Sequence, residues 1–184
     1  MSETDEIFEG ERIYLRRLLK TDIDDQYLSW FDNNKLMKFY TNTMRNFTKE
    51  KIVEELNSAE TAQTYIYGIF TKESNVCIGN ARIGPINLTH MISDLVVLIG
   101  HTEFHGKGLA SEAISLGNNI AFNKFSIRKI YGGMHESNVA SIKAYTRAGY
   151  VIEGKLKGQY LVDGKPEDRV LVACFNKNFF KDNL

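Results

Sequence analysis

The sequence has little cysteine and proline, no excess of either charge and no long hydrophobic run. Its two cysteines, Cys77 and Cys174, lie far apart in apolar stretches and form no metal-binding pattern. We therefore expect two buried, reduced thiols rather than a disulfide. No apolar run approaches the roughly 18 residues of a membrane-spanning helix, so no membrane association is expected.

The sequence also lacks an excess of positive charge. Lysine plus arginine and aspartate plus glutamate each total 23, which disfavours a general nucleic-acid-binding role. The acidic start, residues 1–6, lacks the apolar core of a signal peptide, so we expect a cytoplasmic protein. A length of 184 residues with 43% hydrophobic and 25% charged residues suits one globular domain.

What the sequence does contain is an alternation of strand and helix periods, which predicts an α/β fold. Thr21, Thr48 and Asn138 are the expected caps of three helices, and Gly149 should end the last of them. A long helix should run from 109 to 123 or 124. The predicted strands are 11–18, 64–71, 76–84, 95–99, 127–134, 150–162 and 169–175, with hairpin turns at 72–75 and 163–164.

The stretch 100–113 is the centre of the prediction. It follows the apolar strand Leu95-Val-Val-Leu-Ile99 and precedes a helical pattern, and Gly106 and Gly108 bracket a lysine. The unpaired N–H groups and dipole of a helix start attract anions, so we interpret residues 106–111 as a pyrophosphate cradle. The spacing matches neither the Walker nor the dinucleotide pattern, so an ordinary glycine turn remains an alternative.

Three motifs in this order resemble the GCN5-related N-acetyltransferase (GNAT) family. The run His105-Gly-Lys-Gly-Leu-Ala110 resembles its acetyl-CoA pyrophosphate loop, although Arg or Gln usually stands at the first position. Residues 138–150 resemble the helix after its splayed central strands. The run 78–86, with Glu112-Ala113, is similar to the ribosomal-protein-acetyltransferase-like branch. The resemblance covers roughly 10–176 and implies one domain, with a mixed, mostly antiparallel sheet, splayed central strands and helices on both faces.

The resemblance also implies acetyl-CoA as cosubstrate, without a metal, and a set of site residues. Tyr145 stands where the family commonly has the acid that protonates the leaving thiolate, which suits a phenol because its pKa exceeds that of a thiol. Asp94 stands where related enzymes often carry a general base. The implied cofactor-binding residues are Val97, Leu98, Ile99, His105, Gly106, Lys107, Gly108, Leu109, Ala110, Ser111 and Asn138.

The expected reaction is acetyl transfer to a primary amine by direct attack in a ternary complex. The expected acceptor is a small metabolite or nucleotide-linked amino sugar, while a protein N-terminus, a polyamine and an amine antibiotic remain open. A non-catalytic acyl-CoA-binding module and a phosphate-handling nucleotide enzyme are alternatives of other classes. The aromatic residues of 27–40 either line an acceptor pocket or pack on the sheet, and the last two strands offer an edge for a homodimer.

Overall fold

The computed structural model describes residues 6–40 and 47–180, and these ranges form eight strands and five α-helices. Residues 1–5 of the acidic start, residues 41–46 and residues 181–184 lie outside the described residues. The elements are β1 Ile7–Glu9, β2 Ile13–Arg17, α1 Asp25–Asp32, α2 Asn34–Met37, α3 Lys49–Ala59, β3 Tyr65–Thr71, β4 Cys77–Ile83, β5 Ile92–Ile99, α4 Leu109–Asn119, β6 Lys129–His135, α5 Val139–Arg147, β7 Val151–Val162 and β8 Lys165–Phe175. Within these ranges, no helix combines the length and apolarity that crossing a bilayer demands.

All eight strands form one sheet in the order β1-β2-β3-β4-β5-β6-β8-β7. Every neighbouring pair is antiparallel except β5 and β6, which run parallel. These two strands pair only where Ile92 to Asp94 lie beside Lys129 to Tyr131. Beyond Asp94, β5 keeps β4 as its only strand partner in the described chain. The predicted mixed sheet with splayed central strands is therefore confirmed.

Two hydrophobic clusters cover the two faces of the sheet. Successive strand side chains point to opposite faces. On β3, accordingly, Ile66 joins one cluster and Tyr67 the other. Trp30 of α1 and Ile52 of α3 lie in the first cluster, and Ile114 of α4 lies in the second. The predicted placement of helices on both faces is confirmed.

The prediction that Thr21 caps the first helix is wrong, because a single 3-10 turn intervenes and α1 starts at Asp25. The actual cap is Asp24, whose side chain accepts a hydrogen bond from the third helical N–H. The neighbouring Asp22 is held by Arg16 in a bidentate ion pair at 2.7 Å. That pair fixes the turn before α1, and sequence periodicity does not reveal it.

Most other boundaries agree with the sequence. Thr48 and Asn138 cap α3 and α5 with their side chains, and Gly149 follows α5 at a φ of +93°. The short β1 was not predicted, since three residues show no clear period. Both thiols are free, as expected, but Cys77 is only partly buried and Cys174 alone is fully buried.

Gly100 joins β5 to the glycine-rich loop and receives the indole of Trp30 directly on its backbone. A Cβ at Gly100 would lie 2.0 Å from Trp30 Cδ2, which is far inside van der Waals contact. This contact fixes α1 against the end of the central strand. The φ angle of Gly100 does not lie in the left-handed region, so backbone conformation does not require glycine here. Glycine is required because the indole leaves no room for a Cβ.

We predict that Gly100→Ala lowers the free energy of unfolding by roughly 1 to 3 kcal/mol, because the added methyl group overpacks the indole. Urea titration of both proteins measures the difference. Gly154→Ala is the matched control, since a Cβ there meets nothing within 4 Å. Equal losses in the two variants would contradict the proposed contact.

Candidate active site

The glycine-rich loop ends in an open helix N-terminus. Gly106 and Gly108 have φ angles of +74° and +79°, which other residues rarely adopt. A Cβ on Gly106 would meet nothing within 4 Å, so the space above it is open. Gly108 is the N-cap of α4, and no side chain of the described residues caps that helix. The first N–H groups of α4 therefore remain available to an anion, which fits the predicted cradle.

The cradle is clamped to the β1–β2 turn by two residues that lie 100 positions apart. Glu112 accepts the backbone N–H of Arg12 at 2.8 Å and of Ile13 at 3.2 Å, and it pairs with the Arg12 guanidinium at 3.0 Å. The same guanidinium donates to the Lys107 carbonyl inside the loop at 2.8 Å. Sequence reasoning missed this positioning pair, because no local pattern links residues so distant.

The surroundings of Glu112 lower its pKa. Partial burial alone raises the pKa, but the N–H groups of Arg12 and Ile13 and the Arg12 guanidinium outweigh burial. The ionised carboxylate is therefore the form that holds the loop. Because the folded-state pKa is lower than the usual 4.5, its contribution is present above that pH and is lost as pH falls through the folded-state pKa.

A groove of about 670 Å³ leads from the cradle to Tyr145. The predicted residues Val97, Leu98, Ile99 and Asn138 line it together with His105 and 108–111. Three cationic side chains that sequence reasoning missed also line it: Lys35 of α2, and Lys143 and Arg147 of α5. The last two lie four residues apart on one helix face, a spacing that signals a shared surface. The groove thus offers positive charge beside the open helix start, as a diphosphate ligand requires.

Along β5, the backbone groups of successive residues face β4 and the gap beside β6 in turn. The backbones of Asp94 and Gly100 bond towards β4, whereas the carbonyls of Leu95 and Ile99 point into the gap beside β6. Because backbone direction alternates along a strand, Leu98 also bonds towards β4. Of the three residues predicted to bind the cofactor, Val97 and Ile99 therefore turn their backbones to the gap. The Leu98 backbone faces β4, although Leu98 still lines the groove.

The side chains of His105 and Lys107, two residues predicted to bind the cofactor, make contacts within the loop and with the end of β5. The His105 ring nitrogen Nε2 lies 2.7 Å from the Ile99 carbonyl, so the imidazole closes the end of the open strand edge. The Lys107 ammonium lies 5.2 Å from the centre of the Phe104 ring. Both residues shape the loop through structural contacts, and their backbones remain part of the cradle.

Tyr145 stands at the gap between β5 and β6. Its buried hydroxyl donates to the Leu95 carbonyl at 2.8 Å, and its ring meets Tyr150 edge-on. Burial first, and the nearby Asp94 carboxylate second, raise the pKa of Tyr145 above that of a free tyrosine. The phenol is therefore protonated at neutral pH and can donate a proton.

A second cavity, of about 330 Å³, opens on the other side of Tyr145. It contains Asp94, whose pKa is raised by burial and held back by Arg82 and by the Leu95 N–H. Phe39 and Tyr40 line this cavity, whereas Tyr27 and Trp30 belong to the core. The two predicted catalytic side chains are thus brought to one place, and the role of the aromatic residues divides between pocket and packing.

This architecture suits a two-substrate transferase: a groove with an open helix start, a second cavity, and a protonated tyrosine that lines both. Residues 12–151 match the family model described as "Acetyltransferase (GNAT) domain". The chain belongs to the GNAT acetyltransferase family. It is an acetyl-CoA-dependent acyltransferase, as the sequence predicted, and the cradle and cationic groove suit that cosubstrate.

Among proteins of similar sequence, the chain is 24% identical over 176 residues to the Bacillus subtilis (strain 168) "Probable N-acetyltransferase YjcK", covering 92% of this chain and 97% of that protein. It is 24% identical over 105 residues to the spermidine N(1)-acetyltransferase of Escherichia coli (strain K12), covering 57% of this chain and 56% of that protein. The match therefore spans about half of the spermidine enzyme.

Two solved structures share the fold. The Vibrio cholerae spermidine N-acetyltransferase, in complex with CoA and spermine, superposes with a TM-score of 0.79 at 19% identity, over 93% of this chain and 99% of that one. The ribosomal-protein-S5-alanine acetyltransferase from Vibrio fischeri gives 0.79 at 20% identity, over 95% and 98%. At these identities the two superpositions show the shared fold.

Removing the charge at Glu112 tests the clamp. We predict that Glu112→Gln lowers the free energy of unfolding at pH 7 by roughly 1 kcal/mol and weakens CoA binding severalfold, because Arg12 loses its partner. The stability difference should shrink as pH falls below 4.5, where wild-type Glu112 also begins to lose its charge. Chemical denaturation over a pH series measures it.

Glu136→Gln is the matched control, because Glu136 forms an ion pair with Lys155 in which both side chains are about half exposed. Exposed pairs contribute little to stability. A stability difference for Glu112→Gln that is independent of pH, or equal to that of the control, would count against the clamp.

Proposed function

We propose that this protein transfers the acetyl group of acetyl-CoA directly to the primary amine of a small molecule, within a ternary complex. The observation that carries the proposal is the meeting of the groove and the second cavity at Tyr145, which lines both. Val97, Leu98 and Asn138 also line both spaces. An amine in the second cavity and a thioester in the groove would therefore approach each other at one point.

The cofactor would be held by residues 106–111 and by the open edge of β5. Bound there, acetyl-CoA supplies an activated acetyl carbonyl and a thiolate leaving group. Asn138 uses its side-chain oxygen to cap α5 and lines both cavities, so it has a donor nitrogen available for the same ligand. The edge of β5 would orient the pantetheine arm of CoA, and the cradle would hold the diphosphate at the far end of that arm.

Tyr145 is the proposed general acid. Its phenol stays protonated because burial and Asp94 raise its pKa, and it stands between the two cavities. It now donates to the Leu95 carbonyl, so it must turn from that acceptor when it donates to the leaving sulfur. Positioned proton transfer of this kind contributes about 10²- to 10⁴-fold in rate.

Asp94 is the proposed general base. Burial raises the pKa of Asp94, which strengthens its carboxylate as a proton acceptor. It lines the acceptor cavity with Tyr145, so an amine bound there can pass its proton to the carboxylate directly or through a water. No covalent enzyme intermediate is required, because the amine itself attacks the thioester.

A small metabolite or the sugar of a nucleotide-linked amino sugar is the acceptor that we favour. A cavity of about 330 Å³ suits a group of that size. A polyamine is the second candidate, because relatives of similar sequence are spermidine acetyltransferases. We also propose that residues 10–176 form one domain, since strands β2 to β8 all belong to a single sheet.

Removal of the phenol hydroxyl tests the chemical step. We predict that Tyr145→Phe lowers kcat by about 100-fold or more, because the leaving thiolate loses its acid, while affinity for acetyl-CoA changes less than about threefold. Steady-state kinetics with an amine panel and calorimetric titration with CoA measure the two effects. If the protein were a non-catalytic module, the wild-type protein would bind CoA but would acetylate no amine of the panel.

Tyr150→Phe is the matched control for the Tyr145 variant. The Tyr150 hydroxyl is also buried and donates to Asn118 at 2.9 Å, but it lines neither cavity. Both variants should lose about 1 kcal/mol of stability through one missing hydrogen bond. Only Tyr145→Phe should lose turnover, and equal kcat values would remove Tyr145 from the acid role.

A further inference from the structure

We propose that the acceptor amine also carries an oxyanion, either a carboxylate or a phosphate, and that Arg82 and Arg169 bind it. This inference rests on the proposed function and names the substrate class of the same site. The two guanidinium groups belong to strands on opposite sides of the splay, Arg82 on β4 and Arg169 on β8. Both line the 330 Å³ cavity with Asp94.

Neither arginine has a carboxylate partner. Arg12, Arg16 and Arg17 all form ion pairs with an acidic residue. Within residues 6–40 and 47–180, Arg82 and Arg169 form none within 4 Å, and Asp94 influences both only at longer range. The Arg169 Nε is buried without a hydrogen-bond acceptor. An unsatisfied buried donor is costly, so a ligand acceptor is the natural partner.

The backbone of β6 is shaped to seat Arg169. A Cβ on Gly133 would lie 2.1 Å from Arg169 Nε and 2.7 Å from Cζ, so the guanidinium lies flat on the strand. The Tyr160 ring centre is 5.9 Å from that guanidinium carbon. A side chain at Gly133 would displace the charge from the cavity wall. The arginine is therefore held in place rather than left free in solvent.

The balance of charge in the cavity opposes a polycation. Two guanidinium groups face one carboxylate, and the buried His135 directs its Nδ1 to Glu167 at 3.3 Å. Two acidic residues before α1 have other contacts and do not line this cavity: Asp22 pairs with Arg16, and Asp24 caps the helix. Residues 41–46 contain no acidic residue in sequence.

The arrangement fits an amine with an anion at its other end. Guanidinium groups recognise carboxylate and phosphate oxygens through charge-assisted, often bidentate hydrogen bonds. With the oxyanion bound by Arg82 and Arg169, the amine would lie towards Asp94 and Tyr145, where it is deprotonated and acetylated. The same charges would repel spermidine, whose ends are both cationic.

The test compares matched amines that differ only in the anion. An amino acid is paired with its amide, and an amino-sugar phosphate with the free amino sugar, with spermidine alongside. We expect kcat/KM to favour the anionic member of at least one pair by about tenfold or more, and the pair that does so identifies carboxylate or phosphate. Arg82→Gln and Arg169→Gln should each lower it for that member by about 10- to 100-fold, mainly through KM, so that most of the preference over the neutral member is lost.

The controls separate charge recognition from folding and from the function itself. Arg169→Lys should retain part of the preference, and Arg128→Gln, which removes equal charge outside both cavities, should leave it intact. CoA affinity and thermal unfolding confirm that each variant is folded. Better use of spermidine or of the neutral amines by the wild type would overturn the inference and leave the acetyltransferase function standing. Binding of CoA without acetylation of any amine would overturn both.

Discussion

The structure depends on the separation of strands β5 and β6, which stop pairing after Asp94. A strand in mid-sheet that loses one neighbour leaves backbone groups unpaired, and burial of such groups is costly unless they find partners. Here the Tyr145 hydroxyl donates to the Leu95 carbonyl, and the His105 ring nitrogen lies 2.7 Å from the Ile99 carbonyl. The same opening separates the groove from the acceptor cavity and makes them meet at one tyrosine.

Charge divides the site into two parts with different tasks. The groove combines a helix N-terminus with three basic side chains, which suits the diphosphate carrier. The acceptor cavity has its own pair of arginines and a single carboxylate with a raised pKa. In the first part, the clamp between Arg12 and Glu112 holds the loop that binds the carrier. In the second part, we propose that Arg82 of β4 and Arg169 of β8 select the amine.

The features that the sequence predicted are local ones. The glycine loop, the Asn138 cap and Tyr145 lie within short motifs, so their spacing alone indicates their positions on the fold. The alternation that turns the Leu98 backbone towards β4 requires the register with that strand. The clamp and the paired arginines join elements that are remote in sequence and meet only after the sheet forms. The early helix start was wrong because Arg16, a residue of β2, captures Asp22.

A crystal structure of the complex with CoA would test the central claim most directly. The account predicts that the diphosphate contacts the N–H groups of 106–111, that the arm follows Val97 and Ile99, and that the sulfur lies within hydrogen-bonding distance of the Tyr145 hydroxyl. A diphosphate bound elsewhere, or a sulfur out of reach of Tyr145 while the cradle is filled, would contradict it.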